Sequence, residues 1–361
     1  MDNWIQIEKR LDWELTRHCN LECTHCISRF YHRNILSELS TEEAIQVTRR
    51  CREGGFNFVH FSGGEPVLNS DFEKLIQQLD RFEIGTTFST NGTLFNGQLL
   101  DTLAALNYFK GVFVSFEDIR EKNHDTIRGK GSFTSSLEGI DQFIAKIPEK
   151  PVSIAFTLNR NAMVELSTEE IVNFFSQLGA DRIIFQDLAI PPQASPEVKS
   201  LSYTSKIWLK FIYQLFDPGF KPSIPFVYPI KPLIAHHLNR ELGAQLPVVY
   251  YGCNGLSTEF RLLPNGILLP CSAAIGWETE YNRYLNQAPK FYDLPSEKIF
   301  KLDLYQRFIS AKSAKKDPFM EPCRSCHLAY DYCNPCIFGR LSGEIQEIKT
   351  CSWIKNLGKE Q

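Results

Sequence analysis

Cys19-Asn-Leu-Glu-Cys23-Thr-His-Cys26, which follows the run Asp12-Trp-Glu-Leu-Thr-Arg, decides how the rest of the chain is read. Three thiols in the spacing CxxxCxxC, on a loop after a strand-like segment, can hold three irons of a cubane cluster. The fourth iron then lacks a local protein ligand and is free to chelate an amino and a carboxylate group. A structural zinc ion is the alternative. It needs four ligands, and His25 could supply the fourth. Further on, Phe61-Ser62-Gly63-Gly64-Glu65-Pro66 ends a second strand-like run. Glycines there let backbone approach a ligand closely, and Glu65 can accept from an ammonium group.

Working outward, short β-branched or aromatic runs recur at 12–17, 58–62, 86–89, 112–116, 152–157 and 182–186, with amphipathic segments of helical length between them. Ser40-Thr41-Glu42-Glu43 is a capping box opening a helix to about Glu53, where Gly54-Gly55 stops it. Ser167-Thr168-Glu169-Glu170 opens another through Phe175. This alternation predicts a parallel sheet with crossover helices. Six repeats are too few to close an eight-stranded barrel, so the expected fold is α/β, a partial (β/α)6 barrel of TIM type over residues 1–190. Prolines crowd 191–232, which predicts a connecting region, 191–250, with a helix at 205–216 inside it. The remainder, 251–361, has few long apolar periods, so bound metal is expected to supply much of its stability.

The 361 residues are 43% hydrophobic and 22% charged, with a formal net charge of -3 and both signs interspersed, which gives no basic footprint for nucleic acid. No signal peptide is visible, and no apolar stretch approaches the ~20 residues needed to cross a bilayer. The expectation is a cytoplasmic protein with no nucleic-acid and no membrane partner. Eleven cysteines are an odd number for a disulfide framework. In a reducing compartment, clustered cysteines are metal ligands rather than cystines. Here three cluster at 19–26, Cys51 stands alone between two arginines as a packing residue, and seven fall between Cys253 and Cys351.

In combination these motifs resemble the radical S-adenosylmethionine (SAM) superfamily, over about residues 12–187. The resemblance implies a 4Fe-4S cluster on Cys19, Cys23 and Cys26, with SAM on the open iron and its methionine amino group held by Gly63, Gly64 and Glu65. Electron transfer into the cluster would cleave SAM to a 5′-deoxyadenosyl radical that abstracts hydrogen from substrate. Ser89-Thr-Asn91-Gly ends the third strand, and Ser115 ends the fourth, in Val-Ser-Phe-Glu-Asp where relatives commonly carry SLDG. His124-Asp-Thr-Ile-Arg128-Gly resembles the HDxxRG of peptide-modifying members. Ser89, Asn91, Ser115, Arg128 and Asn159 are thereby implied at the SAM site, Ser115 and Arg128 at its ribose or carboxylate. Without the resemblance, Ser115 is a strand-end hydroxyl and Arg128 a surface arginine. The residue before the third cysteine is often aromatic in relatives, packed near the adenine; here it is His25.

The later cysteines read Cys253, then Gly266-Ile-Leu-Leu-Pro-Cys271, Cys323-Arg-Ser-Cys326, Cys333-Asn-Pro-Cys336 and Cys351. Alone, two CxxC pairs fit a zinc ribbon as well as an iron–sulfur site. Beside the N-terminal motifs they resemble the SPASM extension, which implies two auxiliary 4Fe-4S clusters. Cys253, Cys271 and Cys336 would bind the first; Cys323, Cys326, Cys333 and Cys351 would bind the second. Six residues separate Cys326 from Cys333 where five are usual, which leaves open which cluster Cys333 serves. The first cluster is short of one ligand, so either another group completes it or an open iron binds substrate.

Enzymes with this extension mostly modify peptides, so the resemblance implies a maturase of a ribosomally made precursor peptide. The oxidative outcomes include crosslinks, backbone excision and residue oxidation, with the auxiliary clusters relaying the electron and a flavodoxin- or ferredoxin-type donor supplying the first one. Only 18 residues precede Cys19, so a leader peptide is expected to be recognised by a separate small partner protein, or by barrel and linker surfaces. Asp187 closes the sixth strand at the barrel mouth as a candidate proton acceptor, or as a turn or cap residue. Other readings are a radical SAM enzyme with a small-molecule substrate, a sulfatase-maturing enzyme, and a zinc-binding interaction module.

Overall fold

The computed structural model describes residues 9–31, 37–190, 194–229, 232–247, 253–313 and 336–342. Six strands form on the β-branched and aromatic runs: β1 (Arg10–Thr16), β2 (Phe58–Gly63), β3 (Gly85–Thr90), β4 (Phe109–Phe116), β5 (Val152–Leu158) and β6 (Arg182–Asp187). They stand side by side in chain order, and every neighbouring pair is parallel. All six therefore end on one edge, so the loops that follow them converge at one mouth.

Helices fill the crossovers where the capping signals place them. Ser40 accepts from the backbone of Glu43 while the Glu43 carboxylate accepts from the backbone of Ser40, starting the helix Thr41–Glu53. Ser167 and Glu170 do the same for Thr168–Gln177. Gly55 then turns the chain at φ 67, a conformation open to glycine without steric cost. Each helix lays an apolar stripe on the sheet. Phe72, on the helix Phe72–Arg81, meets Phe61 and Phe88 edge-on with centroids 5.5 and 5.1 Å away, the preferred geometry for buried rings.

The sheet extends beyond the six expected strands. β7 (Phe226–Val227), from the proline-rich connector, pairs parallel with β6. On the other side β8 (Glu259–Leu262) pairs parallel with β1, and β9 (Leu268–Leu269) returns antiparallel to β8. The order is β7-β6-β5-β4-β3-β2-β1-β8-β9, an α/β partial barrel. The connector holds its expected helix at Ser205–Leu215 and a further one at Pro232–Leu242.

The C-terminal part also has more core than its sequence periodicity suggests. Tyr281, Tyr284, Phe291, Tyr305, Phe308 and Phe338 are buried and belong to the same apolar cluster as the barrel. An aromatic side chain buries roughly 150–250 Å², so short helices such as Glu278–Gln287 and Asp303–Ser313 can seal a core with few residues. Cys323, Cys326, Cys333 and Cys351 lie outside the described residues. Among the described residues, no helix is long and apolar enough to cross a membrane.

Candidate active site at the barrel mouth

A cavity of about 410 Å³ opens at the strand ends and is lined by Cys19, Cys23, Cys26, Gly63, Gly64, Glu65, Ser89, Asn91, Ser115, Arg128 and Asp187. The parallel register alone brings these residues together from segments far apart in the chain.

The cysteine loop is held from below. Gly64 N–H donates to Thr16 O (2.7 Å) and Glu65 N–H to His18 O (2.8 Å). A Cβ on Gly63 would stand 2.4 Å from Thr16 O, and one on Gly64 would stand 2.1 Å from His18 O. Both glycines are thus required because the end of β2 rides directly on the chain entering the loop. The sequence reading attributed them to ligand approach; in the structure they serve the approach of two protein segments. Asn91 completes the support. Its amide donates to Asn20 Oδ1 (2.8 Å), and its backbone N–H donates to Glu65 Oε2 (2.8 Å).

The thiols suit a metal. Burial pushes the Cys23 thiol up to about 12 and raises Cys19 as well, so each lacks the counter-charge that iron would supply. Backbone N–H groups of Leu21 and Arg29 point at the sulfurs of Cys19 and Cys26 (3.4 Å each). His25 lines the same cavity, with Nε2 3.4 Å from the buried Glu117 carboxylate.

Glu65 shows what else the cavity can take. Its Oε1 is buried and has no hydrogen-bond partner among the described residues. Burial raises its carboxyl to about 7, against the pull of the Asn91 N–H and Arg128. An ammonium group in the cavity would satisfy that oxygen and restore the charge. The raised value favours the neutral acid in the empty pocket, so binding a cation there below pH 7 must expel a proton. Affinity of the cavity for an ammonium-bearing ligand should therefore weaken as pH falls below the raised value of that carboxyl. Glu65→Gln should weaken binding and erase the dependence. Equilibrium dialysis across pH reads both, and a slope that survives in Glu65→Gln assigns it elsewhere.

The remaining predicted residues divide. Ser89 Oγ is held by His60 Nε2 (2.9 Å), and desolvation takes that imidazole down to about 4, so it is neutral. Ser115 faces the cavity. Arg128 is buried at its wall and paired through Nε with Glu117. Asn159 is not on the wall. Its side chain caps the helix Arg160–Glu165, accepting from Asn161 and Ala162 N–H, and donates to Glu117 O (2.6 Å). Within the HDxxRG-like stretch, Asp125 folds the next helix start by accepting from Gly131 and Phe133 N–H.

Asp187 stands at the mouth, held by two phenols the sequence reading passed over. Tyr203 Oη donates to it at 2.8 Å and Tyr228 Oη at 3.0 Å, while the indole N–H of the buried Trp208 donates to Tyr228 Oη (3.0 Å). Nothing periodic in the proline-rich connector marks these tyrosines. Arg261, also on the cavity wall, was missed for a similar reason: it lies on β8, beyond the expected barrel. Further from the mouth, Cys253, Cys271 and Cys336 come within electrostatic reach of one another, and burial pushes Cys271 up to about 12.

A parallel partial barrel with a three-thiol loop at its mouth and an anion-and-cation-lined cavity beside it defines the class. Residues 13–175 match the family model described as Radical SAM superfamily. The mycofactocin maturase MftC of Mycolicibacterium smegmatis is 32% identical over 159 residues, 42% of this chain and 40% of the relative. The Fe-coproporphyrin III synthase of Methanosarcina barkeri is 31% identical over 189 residues, 52% of this chain and 45% of the relative. This chain spans less than half the length of either. SuiB of Streptococcus suis, solved bound to S-adenosylmethionine, has the same fold with a TM-score of 0.69 at 18% identity, covering 92% of this chain and 73% of SuiB. SuiB has also been solved bound to its precursor peptide SuiA.

Proposed function

We propose that this chain is a radical SAM enzyme that oxidatively modifies a ribosomally made precursor peptide. The observation that carries the reading is the cavity lined by the thiols of Cys19, Cys23 and Cys26, by Arg128 and by Glu65, whose Oε1 has no hydrogen-bond partner among the described residues. Cys19, Cys23 and Cys26 would hold a 4Fe-4S cluster, Glu65 with Gly63 and Gly64 the methionine amino group of SAM, and Arg128 with Ser115 its carboxylate or ribose. Ser89 and Asn91 support that pocket. The bound group would supply a 5′-deoxyadenosyl radical when reduced by a flavodoxin- or ferredoxin-type donor. Asp187, which accepts from Tyr203 and Tyr228, would take the proton released as the substrate is oxidised.

Cys253, Cys271 and Cys336 would hold one auxiliary cluster in a SPASM-type domain, and the four remaining late cysteines a second. The similarity to MftC and the fold shared with SuiB favour a peptide substrate. A separate small leader-recognition protein would be its partner. The similarity to the Fe-coproporphyrin III synthase favours a second reading, a small-molecule substrate.

The test is anaerobic co-expression with any short open reading frame and small protein encoded beside the gene, followed by tandem mass spectrometry of the peptide. Loss of hydrogens or of a defined fragment, absent with a Cys19/Cys23/Cys26→Ala variant, is the expected result. An unchanged peptide beside active SAM cleavage would move the assignment to the small-molecule reading.

A further inference from the structure

Two places where the sequence departs from the pattern it resembles, His25 in the cysteine loop and Glu117 after β4, face each other across the cavity wall. Glu117 is buried, and three side chains converge on its carboxylate. Arg128 Nε donates to Oε2, His25 Nε2 lies 3.4 Å from Oε1, and His124 Nδ1 lies 3.9 Å from Oε2. The main chain straps the same pieces together, since Thr24 N–H donates to Ile127 O at 2.9 Å. The loop bearing Cys23 and Cys26 and the helix Glu121–Arg128 are therefore joined twice, once by backbone and once through Glu117.

We propose that Glu117 is a positioning residue that locks the cysteine loop and Arg128 into one unit, so that the guanidinium meets the carboxylate of SAM in a fixed orientation. This rests on the radical SAM reading given above. Glu117 takes the Nε side of the guanidinium, which leaves an Nη edge for the cavity that Arg128 lines. That edge is the fork that grips a carboxylate through two parallel hydrogen bonds, and its value depends on the plane being held. Burial on its own would raise the Glu117 carboxyl, but the Arg128 charge and the His25 contact outweigh it and hold the carboxyl well below the usual range. A buried guanidinium without this partner would be an uncompensated charge that turns towards any oxygen in reach. His25 completes the unit from the loop side, so a shift of the loop is transmitted to Arg128.

The test uses full-length, anaerobically reconstituted protein with three variants, Glu117→Gln, His25→Phe and the two combined. SAM affinity is read by equilibrium dialysis, iron content by chemical analysis, and the reduced cluster by electron paramagnetic resonance with and without SAM. Glu117→Gln should keep its iron and weaken SAM binding roughly tenfold or more, as expected for loss of a charge-assisted pair. His25→Phe should weaken it less, and the double variant should be no worse than Glu117→Gln alone, because both act through one carboxylate. Should Glu117→Gln fail to fold, Glu117→Asp, which keeps the charge but shortens the reach, takes its place in the same cycle with an intermediate loss. SAM affinity equal to wild type, additive losses in the double variant, or loss of iron in step with loss of SAM binding would each overturn the proposal. Wild-type protein that takes up iron without binding SAM would instead overturn the functional reading beneath it.

Discussion

Arg261→Met will lower the free energy of unfolding by about 3–5 kcal/mol, the usual effect of removing one partner from a buried ion pair. Arg261 arrives on β8 and pairs with Glu14, a fully buried carboxylate on β1, while also donating to Ser272 Oγ at 3.0 Å. The register places Arg261 beside Asp12 and brings its guanidinium over the interior of the barrel. Without it, the buried Glu14 loses the guanidinium that offsets its charge, which is unfavourable. The double variant Glu14→Leu/Arg261→Met should recover most of the loss, because it leaves no unpaired charge and fills the space with apolar atoms. Chemical denaturation of the two variants against wild type measures the difference. Equal destabilisation in both would show that shape, not charge, makes the joint. The experiment also probes how the C-terminal part is attached, since β8 continues the barrel sheet and Ser272 follows Cys271.

Gly64→Ala should destabilise the protein by at least about 3 kcal/mol, the upper end for forcing one extra carbon into a packed site. The new Cβ would lie 2.1 Å from His18 O and 2.9 Å from Arg17 C, both main-chain atoms that cannot rotate away. The only relief is to lift residues 17–18, and Cys19 follows immediately. Iron retention after reconstitution should therefore fall along with the melting temperature. Gly97→Ala is the control: at the start of the helix Gly97–Ala104 it meets nothing within 4 Å, so both readings should hold. Normal iron content in Gly64→Ala would mean that the loop tolerates displacement and that its geometry is set elsewhere.

Much of the barrel is legible in the amino-acid sequence because its signals are local. The six strands are short β-branched runs that start and stop within two residues or so of the expected bounds at most ends, and both capping boxes form as the Ser-x-x-Glu spacing requires. The exception is β4, which starts at Phe109 rather than 112, because Gly111 at φ 108 interrupts the pattern without ending the strand. The cysteine loop and the GGE stretch are recognisable for the same reason, each being contiguous. Asn159 shows the opposite case. Its position after β5 suggests a cavity contact, but an asparagine at a helix start satisfies orphan N–H groups first.

What the sequence determined by itself, then, was a parallel strand–helix alternation with three thiols after the first strand, since propensity, capping and spacing act over a few residues. Only the tertiary structure decided which groups became partners. Glu117 and His25, Asp187 with Tyr203 and Tyr228, and Glu14 with Arg261 come from segments 16 to 247 residues apart, joined by sheet register and burial. A buried carboxylate needs a cation or a donor wherever the chain can deliver one, and no local pattern records where that will be.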